Sequence, residues 1–365
     1  MAAALCVFSA APLPRIFAAP LSSTSASDKD LGKKALGVLM SRLHDARASV
    51  RAAAARSWGD IGNPAALPIL RKALKDPDLY VRIAAAYSLN ALGDRQGFKT
   101  LCSVALEGAG RSRPGNPVEQ LKLLAKNRAR ARAIEKLSAI GGVDAVKVME
   151  KTLSDASDTV QDATKIALAR LGFFDEYGSP FVTALGDQDP GVRAAAAAAL
   201  GRIRRSEALP ALLKAAADPV ADVRMAVMSA LGHFDEPGAA AALRSGAKDG
   251  DSRVRFRAFE ALSGLRDDGS LPLLKETLAK NPTPEILLPV LRGLAERGET
   301  IDLSLVSANL AQSDPDLRAI AVEALEAVPG AAANALLKRV METDSSKLLQ
   351  IKAAKSLVMR LERKP

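Results

Sequence analysis

One figure recurs along this chain every 31 or 32 residues, and a period of that length restricts the fold more than any other feature. Asp189-Pro190-Gly191-Val192-Arg193 leads into an alanine run that ends on Leu200-Gly201. The figure returns at Asp218-Pro219 to Val223-Arg224, at Asp251 to Val254-Arg255, and at Asp76-Pro77-Asp78 to Val81-Arg82. Val50-Arg51 precedes these, and Asp314-Pro315-Asp316 to Leu317-Arg318 follows them. Numbered by the Arg position, the units fall at 51, 82, 130, 161, 193, 224, 255, 287, 318 and 350, with one gap of 48 residues between the second and third. Seven residues further on stands Trp58 in the first unit and Leu in every other, from Leu89 to Leu357. A fixed period of this kind means stacked units, each too small to bury its own apolar face and each sealed by its neighbours.

Each unit reads as two helices. Asp is a good N-cap and Pro suits the first helical position, so Asp-Pro opens helix A. The residue before the Arg, the alanines and the Leu at +7 fall on one apolar face at helical spacing. A break follows, as at Gly62-Asn63-Pro64, Gly93-Asp94 or Gly141-Gly142, and helix B carries pairs such as Leu67/Leu70, Leu209/Leu212 and Leu271/Leu274. Hydrophobic residues make up 48% of the chain but aromatics only 4%. Small side chains suit closely stacked helices; they suit ligand pockets and base-stacking platforms poorly.

Asp-Pro-x-x-Val-Arg-x-x-Ala-Ala-x-Ala-Leu-Gly, a short break and a Leu-Pro-x-Leu-Leu helix together resemble the HEAT family, and in particular the short bacterial repeats called PBS-lyase HEAT-like. The match extends over roughly residues 45–361. The resemblance implies an all-α fold: a right-handed α-solenoid, or superhelix, of about ten stacked two-helix HEAT repeats spanning 28–365. It also implies a ladder in which the Arg of one unit pairs with the Asp of the next. Arg51, Arg82, Arg130, Arg193, Arg224, Arg255 and Arg318 keep that Arg, whereas Gln161, Leu287 and Gln350 depart from it. Members of the family serve as scaffolds, adaptors, bilin-lyase subunits and, rarely, DNA-repair enzymes, so the fold leaves function open.

The terminal helices read as caps. Leu36, Leu39, Met40 and Leu43 form an apolar stripe opposite Lys33, Lys34 and Arg42, and the last helix turns Leu348, Ile351, Leu357 and Leu361 inward. Polar outer faces at both ends describe an open row with a curved exterior and no enclosed chamber.

The remaining information lies where the repeat is broken. About 17 extra residues fall within 107–124, read as a basic loop followed by a helix that begins at Asn116-Pro117-Val118-Glu119 and runs to about Ile140. From Lys99 to Lys136 there are nine Lys or Arg against three Glu, which accounts for +6 of the chain's net +10. Arg111, Arg113, Lys122, Lys126, Arg128 and Arg132 are therefore the candidate partner-binding surface. Pro289 falls in the second turn of its helix A, where a proline is expected to kink or delay the helix and change the superhelix curvature. Residues 1–27 form an apolar stretch and a small polar one, with Thr24-Ser25-Ala26 as a cleavage site; they read as a signal peptide or a disordered N-terminal segment. The first reading places the chain in the periplasm or outside the cell, the second in the cytoplasm.

Little in the sequence points to chemistry. The two histidines, His44 and His233, lie five repeats apart and cannot share a site. No Cys/His cluster, Walker A motif or nucleophile–base arrangement is legible, so no catalytic residue, metal or cofactor is assigned. Close carboxylates such as Asp249/Asp251 sit at turns where Asp is wanted for capping. The sequence alone therefore favours a non-catalytic scaffold or adaptor that holds a protein or peptide partner. A nucleic-acid-binding protein using the basic insertion is the alternative, and a lyase-type enzyme subunit the second alternative.

Overall fold

The computed structural model describes residues 26–108, 116–265 and 267–361. Every regular element in them is helical. The chain opens with α1 (Ala26–Arg42), α2 (Ala48–Ile61), α3 (Leu67–Ala73), α4 (Leu79–Ala91) and α5 (Arg95–Leu106). It continues with α6 (Pro117–Ile140), α7 (Val143–Thr152), α8 (Asp158–Arg170), the short α9 (Phe174–Tyr177) and α10 (Ser179–Ala184), α11 (Pro190–Ile203) and α12 (Leu209–Ala215). Next come α13 (Ala221–Leu231), α14 (Pro237–Gly246), α15 (Ser252–Gly264), α16 (Leu271–Ala279) and α17 (Pro284–Glu296). The last four are α18 (Leu303–Leu310), α19 (Pro315–Ala327), α20 (Ala331–Thr343) and α21 (Lys347–Leu361).

The A helices (α2, α4, α6, α8, α11, α13, α15, α17, α19 and α21) pack side by side, while successive B helices touch far less. The A layer is thus the inner, tighter one. Its spine is the +7 position, where Trp58 and the nine leucines are each 3% exposed or less.

The row does not stay open. α21 packs on α2, and α1 lies along α21 while also touching α2. Beside α21 the second-helix place of unit ten is taken by α1, which thereby completes that repeat. Ala35, Leu39 and Leu43, spaced one helical turn apart, supply its buried stripe. The expectation of an open row with two capped ends is therefore corrected: the apolar stripe of α1 is an interlocking surface. Met40 and Leu348, expected to face inward, are among the exposed apolar residues. Helices packed at about 9 Å make a ten-membered inner ring about 30 Å across between axes, with a bore of about 20 Å.

Charge pairing follows the same circle. In seven of the ten units an aspartate stands six residues before the register position; at Asp76, Asp218 and Asp249 it accepts an amide of its own turn and receives the Arg of the preceding unit. Arg51 thus meets Asp76 at 2.8 Å, Arg193 meets Asp218 at 2.7 Å, Arg224 meets Asp249 at 2.8 Å and Arg318 meets Asp344 at 2.9 Å. Arg130 and Asp155 form the same pair with both side chains only 2% exposed. Arg82 reaches Glu107 only at 3.9 Å, and Arg255, with Asn281 where the acid would stand, bonds only the carbonyls of Asp249 and Gly250. Gln161 and Gln350 keep the carbonyl bond but pair with no ladder aspartate side chain. Asp45 in unit one has no preceding Arg; it takes Lys347 of unit ten at 2.5 Å, which closes the ladder on itself. Arg42 to Gln350 and Lys355 to Asp60 also bridge the seam.

Two local expectations change. Asp-Pro occurs in two registers: Asp189 and Asp314 are N-caps with Pro at the first position, whereas Asp76 and Asp218 are ladder residues and their helices start later, at Leu79 and Ala221. And α17 passes through Pro289 without interruption, beginning three residues before its register position, as α15 does, so no delay occurs.

Candidate binding site in the ring lumen

Closure turns one face of each inner helix toward the bore, and the residues there are the ones the apolar repeat does not specify. Two recesses open on this face. The larger, about 400 Å³, lies across α2, α4 and α6, with Arg56, Tyr80, Tyr87, Arg132, Lys136 and Leu348 on its walls. Leu348, from α21, puts this recess beside the ring seam. The smaller, about 200 Å³, lies across α6, α8 and the end of α11, and its charged walls are Arg132, Glu135, Arg170, Arg202 and Arg204. Arg132 belongs to both.

The electrostatics of this arc are one-sided. The Lys136 ammonium sits over the Tyr87 ring, 4.7 Å from its centroid. Burial, reinforced by the neighbouring Arg132, pulls its pKa below the usual lysine range. Burial and Arg170 likewise lower Arg204, and burial with Arg204 and Arg170 lowers His233, whose imidazole is therefore neutral at pH 7. The opposite arc is balanced. Arg292 and Lys352 both pair with Glu323, and Arg257 pairs with Glu260. Burial between these walls pushes Glu326 upward, although solvent reaches it.

The candidate residues from the basic insertion do not share a face. Arg111 and Arg113 lie outside the described residues. Lys122 and Arg128 are exposed on α6, and Lys126 pairs with Glu107 at 3.6 Å. Arg132 faces the bore, paired with Glu135 at 2.6 Å. Arg130, from the same strip as Lys122 and Lys126, is spent on the buried ladder. The continuous basic exterior on which a nucleic-acid reading rests is not formed by these residues. Arg56, Tyr87, Lys136, Arg170 and Arg202 were not part of the surface chosen from the sequence, yet each stands at a register position (+5, +6 or +9) where the repeat asks for no side chain in particular; Arg204 stands at +11, where five other units have glycine. His233 stands at +9, the register position of Arg170 and Arg202, exposed and with its ring 3.6 Å from where a Cβ on Gly201 would stand.

Among the described residues no group of three or more His, Cys, Asp or Glu is placed to hold a metal, and no helix is long and apolar enough to cross a membrane. What the lumen offers is a set of cations, two tyrosines and a neutral imidazole: groups able to bind and orient an anionic ligand and, at His233, to exchange a proton.

Comparison with known proteins brings a lyase into view. Phycocyanobilin lyase subunit alpha of Nostoc sp. (strain PCC 7120 / SAG 25.82 / UTEX 2576) is 32% identical over 176 residues, covering 46% of this chain and 59% of that protein. The protein of the same name from Picosynechococcus sp. (strain ATCC 27264 / PCC 7002 / PR-6) is 31% identical over 176 residues, covering 46% and 61%. The chain thus spans about six tenths of the length of the curated relatives it matches. Among solved structures, the complex of CpcE and CpcF of phycocyanin lyase from Nostoc sp. PCC7120 aligns at 26% identity and a TM-score of 0.39, covering 61% of this chain and 89% of that one. Relatives named as lyase subunits overturn both the scaffold reading and the view of the chain as no enzyme, which rested on the absence of a legible triad or metal motif. The model for HEAT repeats matches residues 36–113, 167–230 and 218–295, more than half of the sequence, and the chain belongs to the HEAT-repeat family.

Proposed function

We propose that the chain is a subunit of a lyase-type enzyme acting on a bilin, with the chromophore received in the cationic arc of the lumen. The observation that carries this is the 31–32% identity to proteins named phycocyanobilin lyase subunit alpha. The chemistry of the lumen agrees with it. A bilin is a linear tetrapyrrole with two propionate carboxylates; cations suit the carboxylates, and a recess walled by Tyr80, Tyr87, Ile83 and the aliphatic part of Lys136 suits the conjugated body. The relatives' designation as a subunit points to a companion protein, so the partner in this reading is a second lyase subunit together with the protein that accepts the chromophore.

Phycocyanobilin added to the purified chain, alone and with the co-purified companion, tests this. Co-elution of the pigment with the protein and a changed visible absorption band are expected. Free pigment eluting apart from both preparations would refute it. Export directed by residues 1–27 is also a proposal, since residues 1–25 lie outside the described ones; N-terminal sequencing of the mature protein tests it, and a chain still starting near Met1 would rule it out.

A further inference from the structure

Arg204 stands where five other units have glycine. Gly62, Gly93, Gly141, Gly172 and Gly298 each follow their register position by eleven residues, with φ of +75°, +84°, +76°, +114° and +77°. Arg204 holds the same place in unit five at φ 57° and ψ 43°, left-handed backbone that glycine adopts freely and a side chain opposes. Among the described residues only Asn281 shares this strain. A strained backbone position that persists calls for a use of the side chain it carries, and this one carries a guanidinium to the wall of the smaller recess.

Its neighbours there have the same sign. Arg170 ends α8 and Arg202 lies in the last turn of α11. None of the guanidinium groups of Arg170, Arg202 and Arg204 has an ion-pair or hydrogen-bond partner among the described residues, and the one carboxylate on the wall, Glu135, is taken by Arg132 and Lys136. On the opposite arc, Arg292 and Lys352 share Glu323 and Arg257 pairs with Glu260. Like charges gathered without partners destabilise the unoccupied protein and favour whatever neutralises them.

We propose that the recess between α6, α8 and α11 is an oxyanion-binding subsite built by Arg170, Arg202 and Arg204. Resting on the bilin reading, its occupant is the propionate pair of the tetrapyrrole, with the conjugated body in the larger recess on the other side of Arg132. Inorganic pyrophosphate carries the same oxyanion chemistry without the pigment and separates the two ideas.

Arg204→Gly gives unit five the residue its siblings use, so the variant should fold and melt a few degrees higher. Pyrophosphate is expected to raise the melting temperature of the wild type and not of Arg204→Gly or Arg170→Gln. Phycocyanobilin should bind Arg204→Gly about 10- to 100-fold more weakly than wild type, while its dimethyl ester, with both propionates blocked, should bind the two alike. Pyrophosphate without effect on the wild type, or both probes indifferent to Arg204→Gly and Arg170→Gln, overturns the subsite. Pyrophosphate protection that depends on Arg204 in a protein that ignores phycocyanobilin sinks the bilin reading and leaves the oxyanion subsite standing.

Discussion

Leu39→Ala tests the closed ring directly. Leu39 is fully buried toward the C-terminal end of α1, on the stripe with Ala35 and Leu43, and α1 lies against α21. The substitution removes about three methylene equivalents from a dry contact, or about 2.4 kcal/mol at 0.8 kcal/mol each. A cavity of about 60 Å³ that does not collapse adds about 1.5 kcal/mol at 24 cal/mol per Å³. The closed ring therefore predicts a loss of about 3–4 kcal/mol in global stability, close to that of Leu200→Ala in the centre of the chain. An open array predicts something different. A terminal helix there frays by itself, and weakening it hardly touches the rest. Urea denaturation of both variants, with amide exchange read separately over α1, distinguishes the two. A loss below about 1 kcal/mol for Leu39→Ala, with fast exchange across α1 already present in the wild type, would refute closure.

The ladder has a core member and rim members. Arg130→Met strands Asp155 in a site where both side chains are 2% exposed, so a loss of about 3–5 kcal/mol is expected by urea denaturation, and one below 1 kcal/mol would show the pair to be dispensable. The seam should also respond to acid. Lys347, with the Arg47 amide, holds Asp45 at about 2, below its ordinary 3.8. A carboxylate lowered on folding stabilises the fold fully above the ordinary value and loses that contribution as pH falls through about 2. Protection of α1 amides should therefore weaken between about pH 4 and pH 2 in the wild type and stay flat over that window in Asp45→Asn; parallel profiles would refute the latch. Gly97→Ala would set a Cβ 2.1 Å from the carbonyl oxygen of Ala86, backbone that has nowhere to go. It should lower stability by about 1–3 kcal/mol through separation of α4 and α5, read as a lower urea midpoint at unchanged m-value.

The period, the two-helix unit and the buried +7 spine could all be read from the residues, because each is imposed within one unit and its neighbour. Closure could not, because it depends on the small rotation added at every step, which no single unit records. One hint was present all the same: Asp45 is a ladder aspartate that none of the register arginines precedes. The binding arc was harder still. Arg132 was singled out for its charge, but Arg56, Arg170 and Arg202 occupy polar positions of amphipathic helices that a linear pattern assigns to open solvent. Only the closed circle makes that solvent a bore. Arg204 carried the strongest unread signal: an arginine in the column where other units keep glycine.

The pairing of α1 with α21 also governs how the protein comes into being. Helix α1 cannot be housed until a partner about 300 residues later has been made. At 5–20 residues per second that is a wait of about 15–60 s with Leu39 and its companions bare. A product cut short anywhere before Lys347 would never cover them. Such fragments should be the ones that chaperones retain and proteases clear, so α21 reports that synthesis has run through the tenth repeat.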